Sequence, residues 1–401
     1  MFKNLIFLFV CLSVTNISAQ QRYLDSVFTA YDFTSDIQYG SNIDYNGVNQ
    51  NLLLDLYQPD GDTLAARPLI IFMHGGGFKS GSKYNMAFLK NLQGYTLMGY
   101  VVASIDYRLG ISQDPDGNNK ALYRAVQDAK AAIRFFKRYK DVYKIDTSMI
   151  VIAGESAGSH AAIHTAFWNA SEVPSGIDTV ALGNLEGNSG NPGYSSRVAA
   201  IINCWGAIRD TNWMQADEPM IVSIHGIDDT IVSIYESQVN YVTPQYGSAI
   251  IDRVADSIGL THALRLFADA GHSLVGTNTS DVVYRLDTAL LFTAEFLYCN
   301  MIIKCFDTLT TASSNIIKQL NATDLVLYPN PTNSNITCQL NNDIFNEPLN
   351  IKIFSINGEL IKELQMHSSI LKIDLSDFSK GVYFIKLISD TMAFNKKIVL
   401  D

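Results

Sequence analysis

The sequence predicts an α/β protein with a mostly parallel central sheet and helices on both faces, followed by a small all-β sandwich. Three observations carry this reading. Residues 69–73 and 150–153 are continuous apolar runs and 100–105 is broken only by Ser104, the pattern of strands covered on both faces. Between about residues 35 and 303 such runs alternate with segments of helical period, as crossover connections in a parallel sheet require. Beyond a Thr-, Ser- and Asn-rich stretch over 307–323, the pattern changes to short alternating strands.

Bulk properties bound the answer. A chain of 401 residues with 47% hydrophobic and 17% charged residues can bury a substantial core and exceeds one small domain. A formal net charge of −10 argues against nucleic acid as a partner, since phosphate binding needs basic surface.

Taken in order, the chain opens on Lys3 and an apolar run over 5–14 interrupted only by Ser13, then Asn16-Ile17-Ser18-Ala19. This reads as a cleavable secretory signal over 1–19, with Ala19 the last residue removed and the run too short for a stable membrane anchor. Cys11 follows the bulky Val10, which disfavours lipoprotein processing. No later run is long enough to span a membrane, so stable membrane insertion is not expected. Residues 37–45 and 51–57 alternate around Asn46-Gly47, a β-hairpin pattern. Pro68 opens the strand over 69–73, which ends in His74-Gly75-Gly76-Gly77-Phe78. A helix over 84–98 leads to the strand over 100–105 and Asp106-Tyr107-Arg108-Leu109. Ala121, Ala125, Ala129, Ile133 and Phe136 recur at helical spacing over 120–139, with charges between them, predicting an amphipathic crossover helix.

That helix feeds Ile150-Val151-Ile152-Ala153 and then Gly154-Glu155-Ser156-Ala157-Gly158, with a helix-friendly run over 160–167. A strand breaking through G-x-S-x-G into a helix is a nucleophile elbow, which holds one serine on a tight, strained turn. Residues 170–196, rich in Gly, Asn, Ser and Pro, interrupt the rhythm and predict a mobile or substrate-facing loop that contributes to specificity. Strands follow over 198–205, 220–225 and 263–267, with helices over 249–258 and 282–303. The expected partition is a signal (1–19), a catalytic domain (20–305), a linker (306–324) and a β-sandwich (325–401) with strands over 335–339, 349–356, 371–375, 382–388 and 394–400.

Removal of the signal leaves Cys204, Cys299, Cys305 and Cys338. Cys299 and Cys305 are close enough to pair or to remain free; Cys204 lies in an apolar run and reads as a buried thiol. No cysteine spacing resembles a zinc site.

An elbow serine needs a base, an acid and oxyanion donors, in the chain order Ser, Asp or Glu, His. Among the 7 histidines, His272 in Ala270-Gly271-His272-Ser273 follows the strand over 263–267, where the sheet's C-terminal edge places functional loops. His262 precedes that strand and His367 belongs to the β-module. The acid comes from His225-Gly226-Ile227-Asp228-Asp229, where residue chemistry alone leaves both aspartates open. The glycine run after His74 allows close backbone approach to a bound group, and Ala157 offers a further N–H. His160 and His164 lie four apart on one helix, and a buried or hydrogen-bonded role outweighs a shared metal.

The ordered set His74-Gly75-Gly76-Gly77-Phe78, Asp106-Tyr107-Arg108-Leu109, Gly154-Glu155-Ser156-Ala157-Gly158, His225-Gly226 with Asp229, and Gly271-His272 resembles the α/β-hydrolase esterases of the carboxylesterase and hormone-sensitive-lipase group. The resemblance covers about residues 35–303. It implies Ser156 as nucleophile, His272 as base, Asp229 rather than Asp228 as acid, and Gly76, Gly77 and Ala157 as oxyanion donors. It also implies Asp106 and Arg108 as scaffold. Glu155 departs from the aspartate that hormone-sensitive-lipase relatives carry, and the region before Pro68 lacks their helical cap pattern, which implies an open site. Tyr328-Pro329-Asn330-Pro331, Ile353-Phe354-Ser355-Ile356-Asn357-Gly358, Lys380-Gly381-Val382-Tyr383-Phe384 and Lys396-Lys397-Ile398-Val399 resemble a type IX secretion sorting domain of Bacteroidetes-like bacteria. Together these imply a secreted or cell-surface serine ester hydrolase, exported through the periplasm, that requires no metal or organic cofactor. Its partners would be an ester substrate, small or polysaccharide-linked, and the secretion machinery. Acetyl or feruloyl esters of plant polysaccharides, or other short-chain esters, lead. Lipase or polyester hydrolase activity, or a non-catalytic glycan-binding role, are the alternatives.

Overall fold

Residues 69–73 and 150–153, apolar on both sides, lie next to each other at the middle of an eight-stranded sheet. The computed structural model describes residues 22–84, 89–237, 244–276, 279–302, 318–319, 325–340, 349–355, 360–388 and 392–400. They fall into two compact units, drawn from Arg22–Thr310 and from Thr311–Asp401. The signal, most of the linker and Cys305 lie outside the described residues, and with Cys305 so does the question of its pairing with Cys299.

In the first unit the strands are β1 (Tyr31–Ile43), β2 (Asn49–Pro59), β3 (Arg67–Met73), β4 (Val101–Ile105), β5 (Ile145–Glu155), β6 (Ala200–Cys204), β7 (Ala207–Ile208), β8 (Met220–Gly226), β9 (Glu236–Ser237), β10 (Gln245–Gly247) and β11 (His262–Phe267). The helices are α1 (Leu89–Met98), α2 (Gly117–Arg138), α3 (Lys140–Tyr143), α4 (Ala157–Phe167), α5 (Thr179–Leu182), α6 (Ser248–Ile258) and α7 (Thr279–Leu297). The sheet order is β1-β2-β4-β3-β5-β6-β8-β11. The β1–β2 hairpin joins antiparallel through β2 and β4, and all other neighbours are parallel. Register brings the strand ends level: Met73 lies opposite Gly154, Gly154 opposite Asn203, Cys204 opposite Ile224, and Gly226 opposite Phe267. The loops after β3, β5, β8 and β11 therefore leave the sheet along one edge. β7, β10 and β9 form a separate small sheet.

Alternate residues of each central strand serve opposite faces. Leu69, Ile71, Ile150 and Ile152 pack with Ala125, Ala129 and Ile133 of α2 and Ala161 of α4. Ile70, Phe72, Val151 and Ala153 pack with Leu92 and Tyr95 of α1 and Ala294 and Leu297 of α7. Each such side chain contributes roughly 1.5–3 kcal/mol by leaving water. Two-sided burial is thus why these strands read as unbroken apolar runs.

The second half of the segment over 170–196 differs from its expectation as a mobile or substrate-facing loop. It is strapped along the polar side of α2, from the helix middle toward its C-terminal end. Tyr123 Oη donates to Gly183 O at 2.9 Å, and Gln127 Nε2 to Leu182 O and Asn184 O, each at 2.8 Å. Arg134 donates to Glu186 O and Gly190 O, and Lys137 to Arg197 O. Lys130 and Arg134 pair with Glu186. The charges spaced along α2 read as a solvated face; the loop instead covers them and spends them on its own carbonyls.

Arg108 is part of the same seam. It pairs with Asp128 at 2.8 Å, donates to Gln127 Oε1 and Ser189 Oγ, and reaches Ile43 O at the hairpin tip. This scaffold position agrees with the role implied for it. α7 ends at Leu297 and runs on as a π-helical turn, Tyr298–Ile302. No helix among the described residues is long and apolar enough to cross a membrane.

The second unit has β12 (Lys318–Gln319), β13 (Leu325–Tyr328), β14 (Asn335–Leu340), β15 (Leu349–Ser355), β16 (Leu360–Met366), β17 (Ile370–Asp374), β18 (Gly381–Ile388) and β19 (Met392–Leu400). They form two sheets, β12-β19-β18-β15-β16 and β13-β14-β17, around Ile336, Cys338, Ile351, Ile353, Ile385, Leu387 and Ile398. β13 and β16 were not among the expected strands.

Candidate active site

β5 delivers Ser156 to the sheet edge, and α4 begins at the next residue. Ser156 sits at φ 51°, ψ −120°, a strained conformation that needs support from its surroundings. The support is close approach. A Cβ on Gly158 would lie 2.1 Å from Met73 O, and one on Gly154 would lie 2.4 Å from the carbonyl of Gly158. Strand, turn and helix can pack at this distance only if both positions lack side chains.

His272 follows β11 in the short turn His272–Leu274. Its Nε2 is 2.9 Å from Ser156 Oγ, and its Nδ1 is 2.7 Å from Asp229 Oδ2. The ring edge meets buried Trp205, centroids 6.5 Å apart. The turn is pinned from α7: Arg285 donates to Leu274 O at 3.1 Å and to Asp269 O at 3.1 Å. Of the two adjacent aspartates, Asp228 is exposed and Asp229 buried. Asp229 Oδ1 accepts from Ile231 N and Val232 N, while Oδ2 accepts from His272 and, at 3.2 Å, from His225 Nε2. Burial pushes the Asp229 carboxyl upward, but the hydrogen bonds from His225, His272 and Val232 N outweigh it and hold the group well below the usual carboxylate range.

The loop after β3 runs against the elbow. A Cβ on Gly75 would lie 3.3 Å from Ser156 Cβ and from the Glu155 carboxylate, which accepts from Gly75 N at 3.3 Å. Glu155 thus ties the elbow to the glycine loop. Gly76 and Gly77 have φ of 112° and 62°, and the Cβ direction of Gly77 meets open space. Behind them, His74 stacks on Tyr107 with centroids 4.4 Å apart, and Tyr107 Oη donates to His74 O at 2.7 Å. Ala157 opens α4, where a first-turn N–H has no partner within the helix. Gly76, Gly77 and Ala157 therefore stand at the same sheet edge as Ser156.

His160 and His164 are buried in α4 and bond the carbonyls four residues earlier, Ser156 O at 2.9 Å and His160 O at 2.7 Å. Burial lowers His160 to about 4, against hydrogen bonds that raise it. No cluster of metal-ligating side chains occurs among the described residues. Cys204 is a buried free thiol with its pKa pushed up by burial. Arg285 and His225 are the residues at this site that the sequence reading left without a role. Only the i, i+4 spacing of His225 and Asp229 hinted at their contact.

Residues 54–220 match the family described as BD-FAE, and residues 326–401 match the secretion system C-terminal sorting domain. Arylacetamide deacetylase-like 2 of Homo sapiens is 29% identical over 167 residues, covering 40% of this chain and 39% of that protein. Acetyl esterase of Salmonella schwarzengrund (strain CVM19633) is 30% identical over 115 residues, 28% of this chain and 32% of that protein. The chain thus spans less than half the length of these curated relatives. Among solved structures, the propionate-bound esterase Est2 of Thermogutta terrifontis has a TM-score of 0.50 at 22% identity, covering 72% of this chain and 97% of that one. The same enzyme phosphorylated by paraoxon has a TM-score of 0.50 at 22% identity, over 68% and 94%. At this identity the likeness is one of fold.

Proposed function

We propose that the chain, which matches an esterase family over residues 54–220 and a secretion sorting domain over 326–401, is an exported serine carboxylester hydrolase. In this reading Ser156 Oγ attacks the ester carbonyl carbon while His272 Nε2 takes its proton. The carbonyl oxygen becomes an oxyanion held by the N–H groups of Gly76, Gly77 and Ala157. Collapse expels the alcohol, which receives the proton from His272 and leaves an acyl-Ser156 ester. Water, deprotonated by His272, then releases the carboxylic acid and restores the serine. Asp229 holds the Nδ1–H tautomer and stabilises the imidazolium.

The observation that supports this most is the continuous relay from Ser156 Oγ through His272 to Asp229, at 2.9 and 2.7 Å. The substrate class is an acetyl or feruloyl ester of plant polysaccharide, or another short-chain ester. A short acyl group is in keeping with a relative named acetyl esterase. Residues 20–305 are assigned to catalysis and 325–401 to sorting, with 1–19 removed on export and 306–324 as the linker. Ser156→Ala is expected to abolish hydrolysis of p-nitrophenyl acetate with an unchanged melting temperature; retained turnover overturns the reading. Acetylated and feruloylated xylo-oligosaccharides, assayed beside acyl-graded esters and a polyester, decide among the substrates.

A further inference from the structure

His225, at the end of β8, takes no part in the reaction written above, yet it is fully buried against Asp229. Its ring is oriented by a chain of contacts that begins at a backbone amide. Gly206 N–H can only donate, so the Asn203 atom 2.9 Å away is its oxygen. That oxygen also accepts from Ser159 Oγ at 2.6 Å. The Asn203 amide nitrogen then donates to Ser223 Oγ at 3.0 Å and Ser248 Oγ at 3.1 Å. Ser248, having accepted, has its hydroxyl proton free for His225 Nδ1 at 2.7 Å. At the other side of the ring, Val232 O can only accept, and it lies 2.9 Å from Nε2. The Val232 carbonyl requires a proton on Nε2, and the Ser248 hydroxyl can donate to Nδ1. The Nε2 proton is shared between Val232 O and Asp229 Oδ2 at 3.2 Å.

We infer that His225 is a positioning residue acting through Asp229: its Nε2–H competes with His272 for the same carboxylate oxygen and so tempers how strongly Asp229 stabilises the His272 imidazolium. The inference rests on the ester-hydrolase reading. Asp229 Oδ1 is held by separate donors, Ile231 N and Val232 N, so loss of His225 acts first on the charge available at Oδ2. Titratable side chains on the elements around this pair include His160 of α4, Glu155 at the end of β5, the Cys204 thiol of β6, Arg209 beyond β7 and the exposed Asp228. His160 bonds Ser156 O and Gln245, and Glu155 bonds Gly75 N.

Removing the competing donor leaves more negative potential facing His272 and favours its protonated form. His225→Leu in the full chain is therefore expected to move the acid limb of the kcat/KM profile to higher pH by about half a unit or more. The rate at the optimum should fall by about three- to ten-fold, with KM nearly unchanged. His225→Gln, which keeps a donor near the Nε2 position, should return the limb toward the wild type. Ser248→Ala, which leaves His225 in place but removes the donor to its Nδ1, should move the limb the same way by less. It also tests the inference should His225→Leu fail to fold. An acid limb that stays or moves down in both His225→Leu and Ser248→Ala, or a His225→Gln profile matching His225→Leu, overturns the inference. NMR titration of the His272 ring in the same variants reads the shift without turnover. An NMR shift in a protein that hydrolyses no ester would therefore overturn the functional reading and leave this one standing.

Discussion

Asp229 is the residue on which the site's charge balance turns. Four donors surround its carboxylate, two backbone and two imidazole, so it stays ionised despite burial. Its folded value lies below the ordinary aspartate value of 3.8. The stability it contributes is thus present above that value and is lost as pH falls through the folded one. Asp229→Asn is expected to flatten the acid-induced loss of stability below about pH 4, read by denaturant midpoints across pH. It should also lower kcat by about 10³- to 10⁴-fold, because the amide cannot hold the His272 tautomer. Ser156, His272 and the aspartate pair were legible as candidates because each sits at a strand end in a short local pattern. His225 and Arg285 were not, since each acts through contacts that only the folded chain creates.

At the scale of elements, strands buried on both faces were the most legible parts, because double burial leaves few polar interruptions. β16 escaped notice for the opposite reason. Lys362 and Glu363 stand within it, and its pairing with β15, not its apolar content, makes it a strand. The small β7-β10-β9 sheet, with strands of two or three residues, is too short for any period to show. The strap on α2 was invisible because charges spaced along a helix look alike whether water or a loop covers them. The turn bearing His272 is held by the helix that follows it, through Arg285 of α7. Arg285→Met keeps the unbranched stem but removes its donors to Leu274 O and Asp269 O. It is expected to lower kcat by about ten-fold with a smaller change in KM, measured by steady-state kinetics. Unchanged kcat would mean that the turn holds His272 without help.

For the whole molecule, the two buried histidines of α4 set a limit on acid tolerance. The folded value of His160 is about 4 against an ordinary 6.5, with burial the main cause, and burial also holds His164 well below its ordinary value. Between those values the unfolded chain binds the proton and the folded chain does not, so stability falls as pH drops from about 6.5 toward 4. For His160 the loss amounts to about 3 kcal/mol across that window. His160→Gln should narrow the difference in melting temperature between pH 7 and pH 4.5, measured by calorimetry.

The α2 seam behaves in the opposite way under stress from the solvent. Gln127, Arg134 and Lys137 are matched to carbonyl oxygens of residues 182–197, and a carbonyl neither titrates nor exchanges its partner for a dissolved counterion. Brine weakens the half-exposed pairs of Lys130 and Arg134 with Glu186, while the bonds to carbonyls keep their partners. Melting temperatures of the hydrolase unit in about 0.1 and 1 M NaCl should therefore differ by only a few degrees, because the carbonyl bonds hold the strap on the helix after the ion pairs are screened.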